Sequence, residues 1–525
     1  MQEEQKIKVN SALTKGLELF RKKNFNEADK EFKNIIKIYP NEINSNFYLG
    51  AILFEEKKFD ESIIYLLKVI SIDENHRDAN FMIGRIFHHL KKFERAKFFF
   101  NKVYRLNKKD FSVLSFLAKS LIKLKNYQEA ETLLIGGLRE KPNSFDLNYD
   151  LGFLYLRTGK TDNCIFYLLK ALEINKNSYY TYANLGTAYL WKSDFVNARK
   201  IFDEGLRNFP NNTVIDFSYS FLRLSECKIN NGFKSYEKRK IINNNEYNFN
   251  DQKKEWIGQD LNGKTILIIS EQGIGDTIQF SRYIFLLKQK YSVKIIFLVK
   301  KNLKYLFKST DINLVSKKEE ICNFDYFQYL LSLPGIFYKK DKKFFPNKNF
   351  IKPDFNLIKK WKIELDNYKG PKIGINYQGD LDNPTAFMRS IPLKKFGKLL
   401  ELNNLNFINL NKTYGEKQIE RFKFKKKLIN FSNKFDNGNN SFEDTIAILK
   451  SLDLVITSDT SLVHIASSME IKTWLLLGCN TDWRWHINNK MFKWYKNLRI
   501  FQQKKTDDWE SLMLEVNREL KNLYY

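Results

Sequence analysis

Two loops concentrate the residues that could do chemistry. EQGIGD (271–276) places Gly273, Gly275 and Asp276 directly after a short apolar, β-branched run, KTILIIS (264–270). SDTSLVHIA (458–466) follows a second such run, DLVIT (453–457). A strand that passes through a loop into a helix leaves free N–H groups at the positive end of the helix dipole, which favours an anion. In the second loop Ser458, Thr460 and Ser461 add hydroxyl donors, and His464, four residues after Thr460, shares its helix face. Asp459 reads otherwise as a cap, and a lone helical His as a core residue. Asp276 reads otherwise as an ordinary N-cap to a helix starting at Thr277. Gly273 and Gly275 permit the tight turn. Neither loop is a known nucleotide fingerprint. The third glycine position after GxG holds Ile278, the next strand runs into Lys300 and Lys301 instead of an acid, and GxxxxGK[ST] does not occur. That argues against NAD and against a P-loop.

The elements that must position these loops alternate. KTILIIS, a helix over 277–290 and VKIIFLV (293–299) make one βαβ unit. A basic, Pro-interrupted stretch (339–353) reads as a surface excursion and 366–371 as a linker. KIGINY (372–377), NFINL (406–410), KLINF (427–431), DLVIT and KTWLLL (472–477) form a second series. Two parallel-sheet domains in tandem are expected, over 263–365 and 371–525, with a cleft where the strand C-termini face each other.

The first half is a different object. Gly16, Gly50, Gly84, Ala118, Gly152 and Gly186 recur every 34 residues. Twelve residues later come Ala28, Ser62, Ala96, Ala130, Cys164 and Ala198, and four further on Phe32, Leu66, Phe100, Leu134, Leu168 and Phe202. Small residues let the two helices of a unit approach, large ones fill the gap between units, and Pro40, Pro142 and Pro210 end second helices. This pattern resembles the tetratricopeptide repeat: an all-α solenoid over 9–246, six repeats plus a degenerate cap from 213.

Composition excludes several classes. With 525 residues, 43% hydrophobic and 15% aromatic, the chain is long enough for two or three packed domains. Four dispersed Cys, none in a CxxC pair, argue against a disulfide scaffold and a Cys-based zinc module. His76, His88 and His89 lack partners at ligand spacing, so no metal is expected. Net charge is +28, but the surplus is spread over both halves, which argues against nucleic acid as the main partner. It suits peripheral contact with an anionic membrane face. No apolar run spans a bilayer and the start lacks a signal-peptide pattern, so a cytoplasmic protein is expected.

EQGIGDTIQFSRY, RSIPL (389–393), SDTSLVHIA and TDWRWH (481–486), taken together, resemble bacterial tetratricopeptide proteins fused to a glycosyltransferase family 9, heptosyltransferase-like domain. That resemblance implies a GT-B fold and inverting sugar transfer from a nucleotide-diphosphate sugar to a hydroxyl, without a cofactor or obligatory metal. It implies Asp276 as base, 458–464 as diphosphate cradle, and Arg389 and Arg484 near the donor. Arg389 is otherwise a loop charge, and Arg484 a guanidinium stacked on Trp483 and Trp485. Tyr377, Gln378 and Gly379 should face the same cleft. Ser461 stands where the family pattern has Gly, which would hinder approach to phosphate. The repeats should hold a protein or peptide partner, or the acceptor, in their groove. Two rivals remain: an inactive interaction scaffold, and a protein O-linked N-acetylglucosamine transferase-like enzyme, whose C-terminal motifs are not seen.

Overall fold

The computed structural model describes residues 2–242, 254–341, 349–383, 385–485 and 494–525. The chain divides into two compact units, Met1–Asn184 and Leu185–Tyr525. Residues 342–348 of the excursion expected at 339–353 lie outside the described residues, as do 243–246 of the expected cap.

Helical hairpins dominate the first unit. They are α1 (Gln2–Arg21) with α2 (Phe25–Ile38), α3 (Ile43–Glu55) with α4 (Phe59–Ile72), and α5 (Arg77–His89) with α6 (Phe93–Leu106). Then come α7 (Phe111–Lys123) with α8 (Tyr127–Glu140) and α9 (Phe145–Thr158) with α10 (Thr161–Ile174). The 34-residue spacing has a direct cause. A Cβ at Gly50 would stand 2.7 Å from Leu66, at Gly84 2.6 Å from Phe100 and at Gly152 2.7 Å from Leu168. Each large residue therefore lies on the glycine of its own hairpin. It also reaches onward, as Phe32 does in stacking on Tyr48 at 5.5 Å. The histidines serve packing: His76 caps α5 at the Ala79 N–H, and His89 stacks on Phe59.

One buried charge in this unit gives a pH dependence. Asp150 accepts from the Ser115 hydroxyl and lies 3.6 Å from Lys119 Nζ. Burial pushes its carboxyl up to about 7, against the opposing pull of Lys119 and Ser115. A carboxyl that holds its proton more tightly folded than unfolded adds stability below its unfolded value, near ~4, and that stability is lost as pH rises through the folded value. Asp150→Asn removes the titration. Between pH 5 and pH 8 the wild type should lose melting temperature by several degrees more than the variant, which should melt higher at pH 8. A lower melting point for the variant at pH 8 would mean that the Lys119 pair outweighs burial.

The second unit takes in the rest of α11 (Tyr179–Trp191), then α12 (Phe195–Asn208), α13 (Thr213–Ser225), α14 (Ile229–Tyr236) and α15 (Arg239–Ile242). The repeat helices run on past the division between the two compact units, which falls at 184. The reason is packing: Leu224, Ile229, Phe233 and Tyr236 share one buried core with Ile266, Ile268 and Phe297 of the first sheet. A fragment 1–242 should therefore remain helical and melt cooperatively but self-associate through the bared face of α14. Phe233→Asp with Tyr236→Ser should return it to a monomer, read by light scattering. A monomeric parent fragment would refute this.

The first sheet contains β1 (Lys254–Glu255), β2 (Thr265–Ile269), β3 (Lys294–Leu298), β4 (Asn313–Val315) and β5 (Tyr326–Tyr329), in the order β1-β5-β2-β3-β4. Between them run α16 (Ile274–Lys290), and beyond them α17 (Leu333–Asp341) and α18 (Phe355–Asp366). The second contains β6 (Lys372–Asn376), β7 (Asn406–Asn409), β8 (Leu428–Asn430), β9 (Leu454–Ser458), β10 (Thr473–Leu477) and β11 (Leu498–Gln502). Its order is β11-β10-β9-β6-β7-β8. Helices α19 (Ala386–Arg389), α20 (Glu416–Glu420), α21 (Glu443–Leu449), α22 (Ser461–Ser468) and α23 (Trp509–Tyr524) accompany it. Every pairing described is parallel. Strand order reverses between β2 and β5 and again between β6 and β9, the places where such sheets open a crevice. The first sheet begins at Lys254, before the expected 263. Helix α18 was expected with the first sheet; Trp361 Nε1 instead donates to Asp444 of α21 at 2.7 Å, tying α18 to the second.

Candidate functional site

A cavity of about 550 Å³ opens where the strand C-termini of the two sheets face each other. Its floor is made by two helix N-termini, one from each sheet. Helix α16 starts at Ile274 with Gly273 as N-cap, three residues before the expected start. That makes Asp276 the third residue of the helix, not its cap. Its Oδ2 accepts from the Gly273 N–H at 2.9 Å, the one half of a capping box that a glycine cap allows. Opposite, α22 starts at Ser461 with Thr460 as N-cap. The Thr460 hydroxyl donates to Asn376 Oδ1 at 3.0 Å, which ties the loop to the end of β6. Gly275 eases the approach of the two helices: a Cβ there would lie 3.1 Å from His464 Cδ2, a tight contact, and 3.6 Å from Ser461 Cα, an ordinary one.

Charges alternate across the cavity. Asp276 Oδ1 pairs with Arg484, which also reaches Asp482 Oδ2 at 3.0 Å. Arg389 stands 3.7 Å from Asp482 and 3.5 Å from Asp459. Burial holds the Asp459 carboxyl above its ordinary range, although Arg389 pulls it down. Arg484 is 7% exposed and its Nε has no hydrogen-bond partner. An incoming anion would find that guanidinium already desolvated. His464 lies flat against Trp485, ring centroids 5.4 Å apart, with Nδ1 2.9 Å from the Tyr495 hydroxyl. Burial first, then Arg484, Arg282 and Arg389, hold its ring well below the ordinary value, so it stays neutral.

Of the residues singled out in the sequence, Gly273, Gly275, Asp276, Gln378, Gly379, Arg389, Asp459, Thr460, Ser461, His464 and Arg484 line this cavity. Tyr377 and Ser458 do not. Tyr377 continues the inward face of Ile373 and Ile375 and donates its hydroxyl to the Gly415 carbonyl at 3.0 Å. Ser458 is wholly buried at the end of β9, on the face of Leu454 and Ile456, its hydroxyl without a partner. The two-residue period of a strand carries both facts.

The sequence reading missed Asn376, Lys300, Asp380, Lys412 and Asp436, all of which line the cavity. Asn376 ends β6 beside Thr460. Lys412 Nζ donates to the carbonyls of Ser432 (2.5 Å) and Phe435 (2.6 Å), shaping the rim. Asp436 accepts from the Asp444 N–H at 2.7 Å, in the first turn of α21. Among the described residues, no cluster of three or more His, Cys, Asp or Glu could hold a metal, and no helix is long and apolar enough to cross a membrane.

Comparison with known proteins places the repeats. The tetratricopeptide repeat profile matches residues 43–76 and 145–178, and a profile described as anaphase-promoting complex, cyclosome, subunit 3 matches 66–137. Tetratricopeptide repeats thus occupy roughly the first 230 residues, a class that suggests a protein-interaction role. Protein FlbA of Caulobacter vibrioides is 23% identical over 435 residues, which is 77% of this chain and 72% of that protein. Among solved structures, a tetratricopeptide repeat protein from Parabacteroides merdae superposes with a TM-score of 0.41 at 15% identity, over 45% of this chain and 94% of its own. YrrB, described as a TPR protein with an unusual peptide-binding site, does so with a TM-score of 0.30 at 16% identity, over 35% of this chain and 95% of its own.

Proposed function

We propose that the α/β region is a GT-B glycosyltransferase of the family 9 type, moving a sugar from a nucleotide-diphosphate donor to an acceptor hydroxyl with inversion. One observation carries the reading: two helix N-termini, at crossover strands of two parallel sheets, converge on one cavity with a carboxylate on one side and two arginines on the other. A cavity of about 550 Å³ suits a nucleotide sugar. In this reading the N-terminus of α22, with Arg389 and Arg484, receives the departing diphosphate. The diphosphate offers Arg484 a new anion and so releases Asp276, which takes the acceptor proton as the hydroxyl oxygen bonds to the sugar carbon and the donor's phosphate–sugar bond breaks. The repeats recruit a protein partner or the acceptor.

A second reading, the inactive scaffold, draws on one observation too: Asp276 already has both oxygens engaged, by Gly273 and Arg484. A thermal-shift screen of ADP, GDP, CDP, UDP and their sugars tests the first. Binding at 100 times Kd should add about 2.7 kcal/mol. No shift with any of them would leave the scaffold.

A further inference from the structure

The first sheet also reverses its strand order, between β2 and β5, but the crevice there is filled by the chain itself. Arg239 of α15, 0% exposed, lies between the loops that follow those two strands. Its Nε and Nη2 donate to the two carboxylate oxygens of Glu271 at 3.1 and 2.6 Å, and Nη2 also to the Ser332 hydroxyl oxygen at 2.8 Å. Its Nη1 donates to the Tyr236 carbonyl at 3.2 Å and to Glu237 at 2.8 Å. The Leu331 N–H donates to the same Glu271 carboxylate at 3.2 Å. Next along the loop, Gln272 sits at φ +62°, and its side-chain oxygen accepts from the Tyr236 hydroxyl at 3.1 Å. A left-handed residue persists where its surroundings over-determine it, and here the repeat hairpin does so. The hairpin grips the other side of the cavity as well: Phe233 meets Trp483 edge-on at 5.9 Å, one residue before Arg484.

We propose that Arg239 and Tyr236 are positioning residues, which act through Glu271 and Gln272 to set where Asp276 stands against Arg484. The last helices of the repeat array are thus a working part of the cleft, beyond closing the solenoid. The effect on turnover rests on the transferase reading; the hold on the loop does not.

Two variants of the full chain test this: Tyr236→Phe, which removes only a hydroxyl, and Arg239→Met with Glu271→Met, which removes that pair of charges and leaves Glu237 its other partner, Lys240. Circular dichroism and melting should stay close to wild type. Amide hydrogen exchange across 271–280 should quicken by about 10-fold or more while β9 and α22 keep their protection. Release of nucleoside diphosphate from the donor selected by thermal shift should show kcat lowered by about 10-fold with the donor KM unchanged. Faster exchange without turnover in any form, wild type included, would sink the transferase reading and leave the positioning role standing. Unchanged exchange in both folded variants would overturn the proposal.

Discussion

Ser461→Glu should weaken nucleoside diphosphate binding by two orders of magnitude or more while the fold stays intact. Ser461 is the first residue of α22 and lines the cavity. A carboxylate in the first turn of a helix suits the dipole and stabilises the helix by about 0.3–1 kcal/mol. It does so by occupying the place proposed for the diphosphate. Two like charges about 5 Å apart, at an effective dielectric near 20, repel by roughly 3 kcal/mol, which is about two decades in affinity. Ser461→Ala is the control. The proposed donors are backbone N–H groups, so alanine should bind within about 5-fold of wild type. Calorimetry with the nucleoside diphosphate that gives the largest thermal shift reads both. Undiminished binding to a folded Ser461→Glu variant would remove α22 from the site.

What was legible in the sequence follows contact range. The repeats could be read because each repeat glycine is covered by a side chain sixteen positions on, as with Gly50 under Leu66 and Gly84 under Phe100, with Ala118 in the same place in the fourth hairpin. The parallel strands were visible as apolar runs because both faces of β2 and β9 are covered. Their order was not, since pairing β6 with β9 joins residues about eighty apart. Within the site, the loops at 271–276 and 458–464 stood out because a strand, a turn and a helix start are local features. Asp482 did not, because half of its role is to meet Arg389, more than ninety residues away; Lys412 and Asp436 sit in irregular loops whose bonds to Ser432, Phe435 and Asp444 follow no helix or strand period. Two errors were local and avoidable. Strand alternation from Ile373 and Ile375 turns Tyr377 inward, and an Asp three residues after a Gly can reach back to the glycine N–H, which moves the helix start back to Ile274. The 213–242 segment read as a plain cap; nothing in its own residues reveals that Arg239 would meet Glu271 of the first sheet.

Asp276→Asn separates the enzyme from the scaffold. Asparagine keeps the shape, and its side-chain oxygen can still accept from the Gly273 N–H, so α16 should start at the same residue. The charge on Arg484 loses one of its two carboxylates but keeps Asp482. Breaking a buried pair outright costs about 3–5 kcal/mol; with one partner left, the loss should be well below that, and a melting curve shows it. Nucleoside diphosphate affinity should hold or rise, because a competitor for Arg484 has gone. Turnover should nevertheless fall by roughly 10²–10⁴, the usual contribution of a positioned base. The assay is release of free nucleoside diphosphate in the presence of an acceptor-containing cell extract. Tighter binding with lost turnover is the joint signature of a carboxylate that guards the arginine before the donor arrives and serves as base afterwards. Unchanged turnover would reduce Asp276 to its capping and pairing roles. Binding weakened in step with turnover would mean that its task is to hold Arg484 in place for the donor.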